Sequence, residues 1–346
     1  MKNHESNRID RRKLLNIVYL IFFAGLSVFA LYYCFKKVKF DEFMEQLKSA
    51  NYYLVALSAL TGFIATIIRA FRWNIMLQPL GYGQSVFDTY NSLMIGYLTN
   101  LAVPRMGELL RCTTLNKTSR IPINSSFGTV VTERIFDFVC LMFVSLLTFL
   151  LNMNIFSRFI NEKVLPEWRP VIEKVSSSVS VISIATVVAV VAGLCFGLRY
   201  LLRKIRAEKI KNIIQGLIVG MKSIFQMKKM TQFMCYTAGI WLCYWFSGFL
   251  ILKSLPFTAH LGAVDGLFLL ILGTLAWVVP APGGFGTFHF IVALGLTMYN
   301  IPQEQGLGVA TLSHESQLLL MILFGLLSAL SLSLTKIKLK NRNYEK

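Results

Sequence analysis

Charge is scarce in this chain, and acid is scarcer. Only 15% of the 346 residues are charged, with 17 Asp and Glu against 35 Lys and Arg. A soluble domain carries about a quarter charged residues. Catalytic signatures are missing as well: there is no HExxH, no GxSxG and no Walker sequence, which argues against an ATP-driven pump and leaves no residue to name as catalytic. The six cysteines, Cys34, Cys112, Cys140, Cys195, Cys235 and Cys243, form no CxxC pair. They read as small buried hydrophobes, so neither a disulfide framework nor a metal site is expected. No cofactor is implied.

What is present is apolar. Hydrophobic residues make up 55% of the chain and mean hydropathy is +0.58. They gather in runs of about 18 or more, long enough to cross a bilayer. The expected class is an all-α polytopic membrane protein. A net charge of +18 sits between and beside these runs. That is how loops are held against an anionic cytoplasmic leaflet, not how nucleic acid is bound.

The expected spans are 14–35, 52–68, 127–151, 179–202, 233–252 and 312–334. Residues 1–13 form a cytoplasmic segment, 14–335 one transmembrane domain, and 336–346 a basic cytoplasmic tail. The first run is too long for a cleavable signal, and no small-residue cleavage site follows it. Arg69, Arg72 and Trp73 close the second span as an interfacial anchor set. The stretch 199–229 holds nine cations and Ile or Leu at helical spacing, which suits either an amphipathic helix on the cytoplasmic face or a plain positive connector.

Two further apolar stretches are broken by proline-bearing motifs. One is Asn100-Leu-Ala-Val-Pro104-Arg105-Met-Gly107-Glu108, within and after 86–103. The other is Pro280-Ala-Pro282-Gly283-Gly284-Phe-Gly286-Thr-Phe-His289, within 261–298. In lipid, freed backbone groups are tolerated only where protein or a wet cavity covers them. Paired broken segments in two halves of a chain point to a transport site. The positive-inside rule closes if the termini and the 199–229 linker are cytoplasmic. It then needs 86–103 to enter and leave from the cytoplasm and 262–298 from outside. The expected fold is six full spans plus two oppositely oriented re-entrant hairpins, an inverted repeat in the inner membrane.

Several residues in these segments could carry chemistry. Pro104 suits a first helical turn, where Glu108 would meet the helix dipole. An alternative role for Glu108 is to hold Arg105, which beside a helix N-terminus is a ready phosphate contact. The glycines at 283, 284 and 286 allow close backbone approach, with a helix expected to start near Phe285. His289 suits pairing with phosphate or relaying a proton. Glu133, Arg134 and Asp137 place charge inside a span, where it usually faces the bundle interior. Arg134 and Asp137 are spaced to pair along the helix. His314 and Glu315 either close an outer mouth or sit at the headgroups.

These motifs resemble the lysylphosphatidylglycerol synthase transmembrane region family, also called the flippase-like domain family. The resemblance rests on Arg72 and Trp73; on Asn100, Pro104, Arg105, Gly107, Glu108 and Arg111; on Glu133, Arg134 and Asp137; and on Pro280, Pro282, Gly283, Gly284 and Gly286. It covers about residues 10–335. It implies paired re-entrant helices and a role in moving phospholipid. The family's two-domain relatives also carry a soluble domain that attaches lysine to phosphatidylglycerol, which is not found here. Where the family's second motif usually ends P-G-G-x-G-x-x-E, this chain has His289. The expected function is translocation of an anionic, phosphate-bearing lipid. Its headgroup would meet Arg105, Glu108, Arg134, Asp137, Asn100, Gly283, Gly284, Gly286 and His289. Pro104, Gly107, Arg111, Glu133, Pro280, Pro282, His314 and Glu315 would support or gate it. The alternatives are a membrane enzyme of lipid or glycan transfer, and a membrane partner of a separate lipid synthase or glycosyltransferase.

Overall fold

The computed structural model describes residues 38–159, 227–279 and 281–334, the backbone of 335–344, and scattered positions in 25–36, 161–170, 193 and 215–222. The expected segment 1–13, span 179–202, most of span 14–35 and of the 199–229 linker, and Pro280 lie outside the described residues.

Among the described residues every regular element is helical. We number the helices α1 Phe40–Lys48, α2 Tyr52–Leu77, α3 Val86–Ala102, α4 Gly107–Ser119 and α5 Ile123–Leu151. They continue as α6 Met153–Phe159, α7 Met230–Ser254, α8 Ala263–Ala276, α9 Thr287–Leu296 and α10 Gln303–Tyr344. Four helical stretches are long and apolar enough to cross a membrane: Tyr52–Leu80, Ile123–Leu151, Met230–Ser254 and Gln303–Leu334. The chain is a membrane protein with several apolar helices. One expected boundary moves. The second span does not stop at residue 68, because α2 runs on to Leu77. The backbone of α10 continues helical past the apolar stretch to Tyr344.

Local chemistry sets the helix ends. Asn51 Oδ1 accepts from the amides of Tyr53 and Leu54, capping α2. Ser85 Oγ accepts from the Asp88 amide at the start of α3. Asp265 reaches back to the Gly262 amide at 2.7 Å before α8. The helix expected near Phe285 begins at Thr287, after Gly286 turns the chain at φ 78°.

The order long helix, helical hairpin, long helix occurs twice. First come α2, the α3–α4 hairpin and α5; then α7, the α8–α9 hairpin and α10. The leading helices α2 and α7 pack side by side and antiparallel. The Asn51 amide meets the Ser254 carbonyl, Ser58 and Ser247 exchange hydroxyl bonds, and Arg72 meets Thr237. The hairpin tips touch. Arg105 Nη2 donates to the Val278 carbonyl at 2.6 Å, and Leu101 lies against Gly283.

The first hairpin closes on glycine. A Cβ at Gly107 would overlap the Gly96 carbonyl and come 2.7 Å from the Asn100 amide, whose Oδ1 accepts the Gly107 N–H. Alanine normally favours a helix over glycine by about 1 kcal/mol. At Gly107 the sign should invert. Gly107→Ala is expected to cost about 1–3 kcal/mol by overpacking, read as a lower midpoint of thermal unfolding in detergent. An unchanged or higher midpoint would show that the hairpin has slack.

Candidate functional site

Arg69 and Arg72 sit three apart on α2 and so share one face; Glu133 and Asp137 sit four apart on α5 and do the same. The two faces meet. Glu133 accepts from Arg72 Nη2 at 3.0 Å and Arg111 Nη2 at 3.0 Å, and its carboxylate lies 3.1 Å from Arg69 Nε as an ion pair. Asp137 accepts from Arg69 Nη2 at 2.6 Å and Arg72 Nη1 at 2.8 Å. Arg69 also donates to the Tyr97 hydroxyl at 3.1 Å, tying α3 to the network. Arg111 lies over the Trp73 ring at 4.6 Å, and the indole N–H donates to Thr129. Arg72 and Glu133 are wholly buried.

The expected anchor set is therefore corrected. Arg69, Arg72 and Trp73 are buried inside the protein, and carboxylates on α5 pair with the two arginines. Two expected pairings change as well. Glu108 does not hold Arg105; it accepts from Arg134 Nη2 at 3.2 Å. Arg134 reaches Asp137 only at 3.9 Å, because that carboxylate is already taken by Arg69 and Arg72.

Guanidiniums stay charged inside proteins, and here they outnumber carboxylates. Arg69, Arg72, Arg105, Arg111 and Arg134 face Glu108, Glu133 and Asp137. Arg111 spends one nitrogen on Glu133; its Nε and Nη1 are buried with no acceptor. It lines a small crevice with Tyr97, Asn100, Gly107, Glu108 and Arg134. Among the described residues no carboxylate lies within ion-pair distance of Arg105, whose exposed side chain is held only by the Val278 carbonyl. Pro104 sits buried in the turn between α3 and α4.

The second hairpin has its own polar cluster. His289 on α9 places Nε2 3.4 Å from Glu315 Oε1 on α10. His314 Nδ1 lies 3.0 Å from the same oxygen, and its Nε2 is 2.8 Å from the Gly283 carbonyl. Gly283, Gly284 and Gly286 all take positive φ, at 58°, 77° and 78°. The Pro282–Gly284 turn thereby aims a carbonyl at His314. His289 is buried. The three donor atoms lie within 4.8 Å of one another. The ring tautomer that an ion would require of His289 opposes one there. For His289 Nε2 to bind an ion, Nδ1 must carry the ring proton, and Nδ1 is buried without an acceptor. Stranding that donor costs about 1–3 kcal/mol.

The structure thus gathers Asn100, Gly107, Glu108, Arg111, Glu133, Arg134 and Asp137 around the first hairpin, and Pro282, Gly283, Gly284, Gly286, His289, His314 and Glu315 around the second. Arg105 lies where the tips meet. Sequence reasoning missed Arg69 and Tyr97 as members. The available signal was the three-residue spacing of Arg69 and Arg72 within a helix that runs on to Leu77.

The family model for the lysylphosphatidylglycerol synthase TM region matches residues 16–325. A UPF0104 membrane protein of Methanocaldococcus jannaschii is 23% identical over 339 residues, covering 93% of this chain and 95% of that one. The glycosyltransferase AglD of Haloferax volcanii is 28% identical over 131 residues, 38% of this chain and 20% of AglD. No solved structure matches the chain.

Proposed function

This chain belongs to the lysylphosphatidylglycerol synthase TM region family, and from that premise we propose that it moves an anionic, phosphate-bearing lipid across the cytoplasmic membrane. The observation that carries the reading is the cationic surplus at the first hairpin. Arg111 keeps two buried nitrogens without an acceptor, beside Arg134 and the Asn100 amide, in a crevice opened by the helix break. Guanidinium nitrogens and free amides at a helix start are the donors that phosphate oxygens take. Arg134, with its side chain 43% exposed, and Arg105 at the tips would meet the headgroup first. Glu108 would hold Arg134 between passages and give way to phosphate. Asp137 and Glu133 would keep the deeper arginines in place.

In this reading the two hairpins are re-entrant and enter from opposite faces, with both termini cytoplasmic. The repeated element order and the antiparallel α2 and α7 support it, since inverted repeats place their sites where broken helices meet. The exposed Lys117 near the end of α4 tests it. Lys117→Cys is expected to react with a membrane-impermeant thiol reagent only from the cytoplasmic side; reaction from outside would rule out the cytoplasmic hairpin.

The function itself is tested in liposomes. Reconstituted protein should speed movement of phosphatidylglycerol between leaflets over that of phosphatidylcholine, whose headgroup has no net charge. Equal rates for the two lipids, or none above empty liposomes, would sink the proposal. A second reading, a membrane part of a group-transfer enzyme or its partner, draws support from the AglD match, which covers a fifth of that protein.

A further inference from the structure

Both ring nitrogens of His314 face acceptors. A carbonyl oxygen can only accept, so Nε2 must donate to Gly283. Nδ1 then faces the Glu315 carboxylate oxygen at 3.0 Å. In a neutral ring that is one lone pair against another. His289 cannot supply the missing proton. Its Nε2–H already points at Glu315, and its buried Nδ1 has nothing to donate to. The arrangement closes with one more proton between His314 Nδ1 and the Glu315 oxygen; held on Nδ1, it makes His314 an imidazolium between a carbonyl and a carboxylate. The rings of Phe288 and Phe285 stand 5.1 Å and 5.2 Å from that of His314, and Trp277 stands 6.1 Å away.

We propose that His314 and Glu315 form a proton-binding site that latches the second hairpin to α10, and that loss of the proton releases the Gly283 carbonyl. With the proton bound, the cluster is neutral: His289 uncharged, His314 positive, Glu315 negative. The proton leaves to water past Glu315, whose side chain is 34% exposed. The cluster is then left at one negative charge. His314 has one ring proton for two acceptors, so it keeps either Gly283 or Glu315. The titratable groups facing His314 are Glu315 on its own helix and His289 on α9. Among the described residues, the other helices packed on α10 bring no charged side chain within ion-pair distance of the cluster. Arg105, across the gap, is engaged by Val278. The site does not depend on which lipid passes, or on whether any does.

Two measurements on the full chain in lipid nanodiscs test it. The chain has four histidines, so nitrogen-15 NMR of labelled imidazoles can separate them, with His314→Gln removing the relevant signal. His314 is expected to carry two ring protons at low pH and to lose one as pH rises. Ala281, buried in the turn, serves as reporter. Thiol labelling of Ala281→Cys, read at that residue by mass spectrometry and divided at each pH by the rate for the same cysteine in denatured protein, should rise roughly tenfold across the same pH step, the scale of one charge-assisted hydrogen bond. Glu315→Gln should hold labelling low at every pH, because its amide can donate to Nδ1 of a neutral His314. His314 with a single ring proton throughout would overturn the proposal. So would a wild-type pH profile in Glu315→Gln, or a stoichiometric metal ion in elemental analysis of the purified protein.

Discussion

Glu133→Ala should unfold or scramble the first half of the protein. Glu133 forms ion pairs with Arg69, Arg72 and Arg111 and is wholly buried. Its loss leaves three guanidiniums among apolar neighbours with Asp137 as the one remaining deep carboxylate. Removing one partner of a buried ion pair costs about 3–5 kcal/mol, since the other charge stays desolvated. The expected result is a fall in thermal midpoint in detergent larger than for any other single substitution in the network, together with poor recovery from membranes. Glu133→Gln should be nearly as harmful, because an amide oxygen accepts hydrogen bonds without cancelling charge. Arg111→Leu in the Glu133→Gln background should recover part of the loss. A wild-type midpoint for Glu133→Ala would show that water reaches the arginines.

The second large effect separates function from folding. Arg105 holds a left-handed backbone, φ 62°, that side chains other than glycine adopt at a cost. Arg105→Gly relieves that cost, about 1–2 kcal/mol, against about 0.4–1 kcal/mol of added unfolded-chain entropy, while removing the guanidinium at the meeting point of the tips. The protein should be as stable as wild type or slightly more so. Lipid movement in liposomes should fall roughly ten- to a hundredfold, the scale of one or two lost charge-assisted hydrogen bonds of about 1.5–3 kcal/mol. Arg105→Lys should recover little, because an ammonium cannot form the planar two-bond fork to phosphate. Wild-type transport in Arg105→Gly would leave the arginine as a lock on the Val278 carbonyl and nothing more.

The two breaks were legible because proline and clustered glycine interrupt apolar runs in a way no neighbouring residue disguises. Both became hairpins, at Pro104 and around Gly283. The buried network was legible only in its parts. Hydropathy ends a span at its first charge, so Arg69 and Arg72 read as residues that leave the membrane. It has no means of registering that their carboxylates arrive 61 to 68 residues later on α5. Glu108 was matched to its neighbour Arg105, whereas the helix turns it toward Arg134, 26 residues on. His289 occupies the place of a carboxylate in the family's motif. The structure puts Glu315 against it from α10, a contact that only the packing of the second hairpin creates.

The element order repeats, and its leading helices α2 and α7 run antiparallel, so element order alone does not tell the two units apart. The distinction lies in what fills each half: arginines with carboxylates in the first, two imidazoles and one carboxylate in the second. Under the proposed function, a headgroup would meet permanent positive charge at one tip and, with the proposed latch, a proton-dependent charge at the other. Any directionality in such a machine would be written in side chains rather than in its frame.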